Sequence, residues 1–165
     1  MMSQTLVDAF NTQIMKELYS AYLYLSMSTY ADANTLPGTA KWLRAQAAEE
    51  QEHGMKLLDF VQDRGERVIL YAIEQPPADF KGLLPMFEQV LEHEQHVTAS
   101  IHALYALALK ENDYAAQVLL QWFISEQVEE EKNASTIVDQ IKQVGTQSGG
   151  LFLLDAHVLG RRKDD

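Results

Sequence analysis

The chain of 165 residues is 47% hydrophobic and 22% charged, which is enough to bury one core and too little for two full domains. Thirteen basic against 24 acidic residues give a net charge of −11, so the surrounding field attracts cations and repels nucleic-acid phosphates. The chain has no cysteine, which excludes disulfides, zinc ribbons and thiol nucleophiles and leaves oxygen and imidazole as the reactive groups. We therefore expect one domain over 1–165 with no nucleic-acid partner.

The start of the chain carries no signal for export. Residues 1–10 lack both the basic and the apolar segments of a secretory signal peptide, and no stretch reaches the roughly 18 apolar residues of a membrane span. We expect a soluble protein in the cytoplasm that does not associate with membranes.

Four proline-free windows carry apolar residues at spacings of three and four, the pattern of amphipathic helices. These windows span 4–32, 39–65, 87–111 and 114–144. A capping box from Thr5 to Asp8 is predicted at the start of the first helix, and Asn112 and Asp113 are predicted to separate the third helix from the fourth. Gly145 is predicted to end the fourth helix.

The lengths of the connections predict how the helices are arranged. Two short connections, at 33–38 and 112–113, predict antiparallel pairs. The connection at 66–82 is about 17 residues long and, when extended, can run the length of a helix. This predicts an all-α four-helix bundle with a long crossover between the second and third helices. A short apolar helix within 148–160 follows and is expected to dock on another surface, such as that of a second subunit.

An offset of 77 residues aligns the first two predicted helices with the last two. Apolar residues fall on apolar residues, for example Phe10 on Phe87. Polar residues also fall on polar residues, and the aligned pairs are Glu17 with Glu94, Glu49 with Glu126, Glu50 with Gln127, Glu52 with Glu129, and His53 with Glu130. We interpret this pattern as two similar helical hairpins.

Heptad steps place several of these polar residues inside otherwise apolar columns. Glu17, Glu50, Glu94 and Gln127 lie 11 to 13 residues from the predicted starts of their helices. They are therefore expected to meet at one level in the middle of the bundle. Carboxylates crowded together away from water repel one another and need compensating positive charge, which a bound cation supplies.

The residue types in this layer indicate which cation is expected. Carboxylates with one imidazole form a hard ligand set that suits iron or manganese and can hold two ions about 3.5 to 4 Å apart. Glu50 and His53 form the Glu-x-x-His element of di-iron carboxylate bundles. In the second hairpin Gln127 and Glu130 take its place, so the site is expected to be asymmetric.

Several segments, taken together and in order, resemble the haem-free bacterial ferritins over essentially the whole chain. The segments are Glu17–Tyr24, Glu49–His53, His93–Gln95 and Gln121–Lys132. The resemblance implies a ferritin-like four-helix bundle with a short fifth C-terminal helix. It also implies a hollow homo-oligomeric shell of 24 subunits that oxidises ferrous iron with dioxygen or peroxide and stores ferric mineral.

The resemblance further implies particular iron ligands. One iron would be bound by Glu17, Glu50 and His53, and the second by Glu50, Glu94 and Glu130 with Gln127 beside it. A third iron position facing the cavity would use Glu49, Glu126 and Glu129, and Tyr24 would be a catalytic phenol next to the iron pair. No haem is expected, because Gln51 and Glu130 stand where haem-carrying relatives have Met and His.

Two other function classes remain open. A two-metal oxidase or peroxidase without storage would resemble the rubrerythrin group, although the cysteines of that group's electron-transfer module are absent. A plain helical interaction module would use the acids only structurally. A DNA-protecting mini-ferritin is disfavoured, because every predicted ligand lies within one bundle and the charge is −11.

His93 and His96 are expected to be ordinary surface histidines.

Overall fold

A computed structural model describes residues 1–145, 148–157 and 159, and within these residues the chain forms five α-helices. They are α1 Gln4–Ala33, α2 Pro37–Asp63, α3 Leu83–Lys110, α4 Tyr114–Val144 and α5 Ser148–His157. None of these described helices is both long and apolar enough to cross a membrane. The predicted bundle of four long helices with a long crossover and a short fifth helix is confirmed.

The predicted crossover at 66–82 is confirmed by α3, which begins at Leu83, whereas α2 begins at Pro37, inside the connection predicted at 33–38. The capping box at Thr5 to Asp8 is wrong, because α1 begins after Ser3, whose hydroxyl accepts a hydrogen bond from the backbone N–H of Leu6 at 3.1 Å. The third helix includes Pro85 in its first turn, where the missing N–H would have had no partner within the helix. Proline therefore does not mark the start of that helix.

The ends of α4 are as predicted. Asp113 caps its N-terminus by accepting a hydrogen bond from the backbone N–H of Ala116 at 3.0 Å, and Gly145 ends it. The Asp113 carboxylate also accepts two hydrogen bonds from the Arg64 guanidinium, at 2.8 and 2.9 Å. This bidentate pair joins the C-terminal end of α2 to the N-terminal end of α4.

The apolar core consists of two clusters, one at each end of the bundle. The N-terminal cluster, which includes Met2 and Phe10, combines the first halves of α1 and α4 with the second halves of α2 and α3. The C-terminal cluster, which includes Leu154, combines the remaining halves. Helices α2 and α3 are therefore parallel to each other and antiparallel to α1 and α4, which explains why a long crossover joins them.

The crossover over 64–82 lies along α1. Asn11 on α1 accepts a hydrogen bond from the backbone N–H of Ile69 at 3.2 Å. Near the other end of α1, the Ser26 hydroxyl donates to the carbonyl of Pro77 at 2.7 Å. The crossover is thus fixed at both ends of the bundle.

The fifth helix docks on its own chain. Asp155 is buried and accepts hydrogen bonds from the backbone N–H groups of Gly38 at 3.0 Å and Thr39 at 2.7 Å, and from the Thr39 hydroxyl at 2.7 Å. Leu36, the residue before α2, makes no side-chain cap, so Asp155 supplies the cap from a distant part of the chain. A Cβ atom at Gly38 would lie 1.9 Å from the Asp155 carbonyl oxygen, so this contact requires glycine.

Candidate metal centre

A layer of buried polar side chains separates the two apolar clusters. All four long helices contribute to it, and each member is at most 4% exposed. The members are Gln13, Glu17, Gln46, Glu50, His53, Glu94, Gln127 and Glu130. The residues predicted to share one level at mid-height are therefore all buried in that layer.

Glu17, Glu50 and His53 are grouped so that one ligand atom from each lies within 4.8 Å of the others. His53 Nδ1 lies 3.6 Å from Glu50 Oε2. Of the six buried side-chain polar atoms without a hydrogen-bond partner among the described residues, four belong to these three side chains. Leaving such an atom unsatisfied costs about 1–3 kcal/mol, so four together indicate a binding position for a cation.

The electrostatics of the layer favour cation binding. Burial raises the pKa of Glu17 to about 7, opposed by a hydrogen bond from Gln13. Burial also raises the pKa of Glu50 well above its usual value, and the charges on Glu17 and Glu94 raise it further. Burial lowers the pKa of His53 to about 4, so its imidazole is neutral near pH 7 and keeps a lone pair. Cations bound here would replace protons on the carboxyl groups.

Four side chains donate hydrogen bonds to the carboxylates that surround Glu50. Gln13 donates to Glu17 Oε1 at 2.8 Å, Gln46 to Glu130 Oε2 at 2.9 Å, Gln127 to Glu94 Oε2 at 3.1 Å, and the Tyr24 hydroxyl to Glu94 Oε1. Neither oxygen of Glu50 accepts a hydrogen bond from an amide or hydroxyl of the described residues, and its carboxyl group is close enough to Glu17 to share a proton with it. The three outer carboxylates are thus each held by a donor, and the central one is left to a cation.

The sequence analysis identified two of these donors, Tyr24 and Gln127, and missed Gln13 and Gln46. A signal was present, because each missed glutamine stands four residues before a predicted ligand of its helix. That spacing is one helical turn and places the glutamine on the ligand's own face.

Local packing sets the distance between α1 and α2 at the site. A Cβ atom at Gly54 would lie 3.2 Å from the side chain of Leu18, so glycine allows α1 to approach closely beside His53. The His53 ring packs edge-on against Trp122, with ring centroids 5.4 Å apart, and against Phe123, at 5.9 Å. These contacts fix the plane of the imidazole.

A second group of possible ligands shares His53. One ligand atom each of Glu49, His53 and Glu126 lies within 4.8 Å of the others. Glu129, which the resemblance places in a third iron position with Glu49 and Glu126, is exposed and stands outside this group. Burial raises the pKa of Glu126, and the charge of Glu129 raises it further, so Glu129 acts on the group electrostatically.

His96 is exposed, as expected of a surface histidine, whereas His93 is half-buried. His93 Nε2 lies 2.8 Å from the Ser20 hydroxyl, and its ring is 5.9 Å from those of Tyr19 and Tyr24. Burial lowers the pKa of His93 to about 4. This histidine therefore packs as a neutral ring between α1 and α3.

Comparisons with known proteins agree with this geometry. The ferritin-like domain family matches residues 7–144. The bacterial non-heme ferritin of Campylobacter jejuni is 42% identical, covering 99% of this chain and 100% of the relative, and that of Staphylococcus saprophyticus is 38% identical, covering 100% and 99%. The open-pore ferritin of the archaeon Archaeoglobus fulgidus superposes with a TM-score of 0.97 at 46% identity, covering 99% of this chain and 100% of that one. The chain therefore belongs to the ferritin family.

Proposed function

We propose that this protein stores iron by oxidising Fe(II) to Fe(III) at a two-iron ferroxidase centre within each subunit and depositing ferric mineral inside a shell of identical subunits. The observation that carries the proposal is the set of four unpartnered ligand atoms contributed by Glu17, Glu50 and His53. Membership of the ferritin family supports the same function. A single ferritin-like domain over 1–165 would carry it, and the cytoplasmic location stays a prediction.

The first iron is assigned to Glu17, Glu50 and His53, whose ligand atoms are close enough to share one ion. The second iron is assigned to Glu50, Glu94 and Glu130. Gln127 lies beside this second position and holds Glu94 through its amide. Because neither oxygen of Glu50 accepts a hydrogen bond from an amide or hydroxyl within the described part of the chain, this carboxylate can join the two ions.

The reaction is an oxidation in which iron is the substrate. Each of two ferrous ions gives up one electron, and dioxygen accepts both electrons with two protons to form hydrogen peroxide. When hydrogen peroxide is the oxidant instead, it accepts two electrons and two protons and forms two waters. The protein holds the two ions next to each other and keeps their ligands anionic. The net charge of −11 raises the local concentration of ferrous ions.

A third iron position is assigned to Glu49, Glu126 and Glu129. The short distances that link Glu49 and Glu126 to His53 support a position next to the ion pair. The exposure of Glu129 suits a ligand that passes ferric ions from the centre to the mineral.

The shell is supported by family membership and by apolar side chains exposed on one subunit. Tyr22 and Leu25 on α1 are 48% and 44% exposed, and Leu70 and Ile73 in the crossover are 64% and 39% exposed. Tyr22, Leu25 and Ile73 line one surface pocket, and contiguous apolar surface of this kind supports contacts with other chains. A shell of 24 subunits of 18.7 kDa has a mass of about 450 kDa. Light scattering that instead finds a monomer or dimer would favour an oxidase without storage.

Ferrous oxidation under air tests the centre directly. The double variant Glu50→Ala with His53→Ala should lose the fast phase of oxidation, because the first ion keeps only one ligand. The matched control is Glu52→Ala with His96→Ala, which removes the same two chemical groups from exposed positions and should oxidise iron at the unaltered rate. A fast phase that survives in the first double variant would show that the site is misassigned.

A further inference from the structure

A partly buried chain of hydrogen bonds leads to Glu17 from outside the metal centre. Gln13 is 2% exposed, and its Nε2 donates to Glu17 Oε1 at 2.8 Å. The Gln13 carbonyl oxygen accepts a hydrogen bond from the Ser100 hydroxyl at 2.5 Å. The Ser100 oxygen in turn accepts one from Lys16 Nζ at 2.6 Å. The chain therefore starts at a half-buried ammonium on α1, crosses to α3 and returns to α1.

The direction of this chain follows from the chemistry of its members. An ammonium group can only donate hydrogen bonds, so Lys16 is the donor and the Ser100 oxygen is the acceptor. The Ser100 hydroxyl hydrogen then goes to the carbonyl oxygen of Gln13. The amide has one accepting end and one donating end, so its NH₂ group is left facing Glu17. Lys16 and Ser100 thus determine which end of Gln13 meets the carboxylate.

This arrangement has a direct effect on the Glu17 side chain. One carboxylate oxygen is held by the amide, and the other, Oε2, accepts no hydrogen bond from the amides and hydroxyls of the described residues. Because Glu17 also groups with Glu50 and His53, the orientation of its free oxygen sets the geometry of the first ion. We propose that Gln13, oriented by Ser100 and Lys16, is a positioning residue that presents Glu17 as a ligand. This inference rests on the proposed function of the centre.

Gln46 provides an internal comparison. It stands one turn before Glu50 on α2, as Gln13 stands one turn before Glu17 on α1. However, its Nε2 donates across the bundle to Glu130 Oε2 on α4 at 2.9 Å. The two amides therefore act on carboxylates assigned to different ions. Removing Gln13 should weaken the ion that depends on His53, and removing Gln46 should weaken the ion that depends on Glu130.

Anaerobic titration with Co²⁺, which does not undergo the oxidation reaction, tests this assignment through the visible absorption of the bound ion. The binding step that disappears in His53→Ala identifies the first ion. Gln13→Leu should weaken this step by roughly 10- to 100-fold, the usual effect of losing a partner that orients a metal ligand, and should change its spectrum. Gln46→Leu should weaken the other step. Gln117→Leu, which removes an amide bonded to the Ala108 carbonyl, should change neither step.

Variants of Ser100 supply a second readout at a half-buried position that tolerates change more readily. Ser100→Ala should weaken the first step by about 3- to 10-fold, because the amide is then free to turn, and Ser100→Thr should restore it by keeping the hydroxyl. Unaltered Co²⁺ binding and spectra in both Gln13→Leu and Ser100→Ala would overturn the positioning role and leave the proposed function intact. Failure of the unmodified protein to bind Co²⁺ would count against the proposed function itself.

Discussion

Gln127 Nε2 donates a hydrogen bond to Glu94 Oε2 at 3.1 Å, from α4 to α3. Gln127 aligns with Glu50 when the first hairpin is laid on the second. The first hairpin therefore places a carboxylate without a donor at this position, and the second places a donor that holds a carboxylate. The same helical position therefore carries a carboxylate that can bind a cation in the first hairpin and an amide that orients a carboxylate in the second.

The variant Gln127→Glu should destabilise the metal-free protein. It replaces a donor by a carboxylate that faces Glu94 in a buried layer, and an unpaired buried polar group costs about 1–3 kcal/mol. Each kcal/mol corresponds to roughly 2–4 °C in a chain of this length, so we expect Tm to fall by roughly 5 °C in a thermal melt. Added Zn²⁺ should recover most of the loss. Gln121→Glu adds the same charge at an exposed position of α4 and should leave Tm unchanged, and equal melting of the two variants would contradict the prediction.

The variant Tyr24→Phe should keep the fold and slow ferrous oxidation by roughly tenfold. It removes only the hydroxyl that donates to Glu94, so of the side-chain donors described for this carboxylate only the Gln127 amide is left. Stopped-flow absorption under air measures the rate. Tyr30→Phe is the matched control, because the ring of Tyr30 packs against Phe80 in the C-terminal cluster. An unchanged rate in Tyr24→Phe would show that the phenol only fills space.

The carboxyl groups of the polar layer should make the metal-free protein less stable as pH rises above about 4.5. Glu17, Glu50 and Glu94 have folded-state pKa values above 4.5, so the folded chain holds protons that the unfolded chain has lost. The stabilisation that depends on these protons disappears as pH rises through the folded pKa values. His53 and His93 act in the opposite sense, but only below about pH 6.5, because their pKa values are lowered from 6.5 to about 4.

Thermal melts of the metal-free protein between pH 6.5 and 8 therefore isolate the carboxyl groups. We expect Tm to fall over this range, because burial raises the pKa of Glu17 to about 7 and raises the pKa of Glu50 well above its usual value. Glu50→Gln should flatten the profile, because the amide cannot ionise, and the exposed Glu52→Gln should not. Saturating Zn²⁺ should abolish the fall. A Tm that rises with pH in the unmodified protein would refute the assignment of protons to the layer.

The docking of α5 gives a prediction about stability away from the metal centre. Asp155→Ala removes the cap of α2, which typically costs about 0.5–2 kcal/mol, and should lower Tm by roughly 2–6 °C. Gly38→Ala should act in the same direction, because its Cβ atom meets the Asp155 carbonyl oxygen. Limited proteolysis should then cut within α5 in both variants. Asp139→Ala, at an exposed position of α4, is the control, and similar cleavage in all three would argue against the docking role.

The sequence predicted the polar layer well because heptad position determines which face of a helix a residue occupies. Glu17, Glu50 and Glu94 are each 1% exposed, and Gln127 is 2% exposed. The directions of the helices also followed from local information, namely the lengths of the connections. The start of α1 was less predictable, because Ser3 and Thr5 are both good caps and only the structure shows which hydroxyl meets a backbone N–H.

Contacts between helices could not be predicted from the spacing of residues along a single helix. Gln46 lies on α2 and bonds to Glu130 on α4, and this pairing depends on how far the two helices slide along each other. His93 shows the same limit. Its position next to Glu94 assigned it to a flanking face, and Tyr19 packs against that face and leaves His93 half-buried.

The division of the core into two apolar clusters has a consequence for how the molecule moves. Each end of the bundle is held by tight apolar packing. The polar layer between the ends is held instead by hydrogen bonds from amide groups and a phenol. In the metal-free protein, backbone amides in the polar layer should exchange with deuterium faster than the backbone amides of the two apolar clusters. Iron bound in the polar layer would link the four long helices to one another there. Iron loading would therefore also make the bundle more rigid.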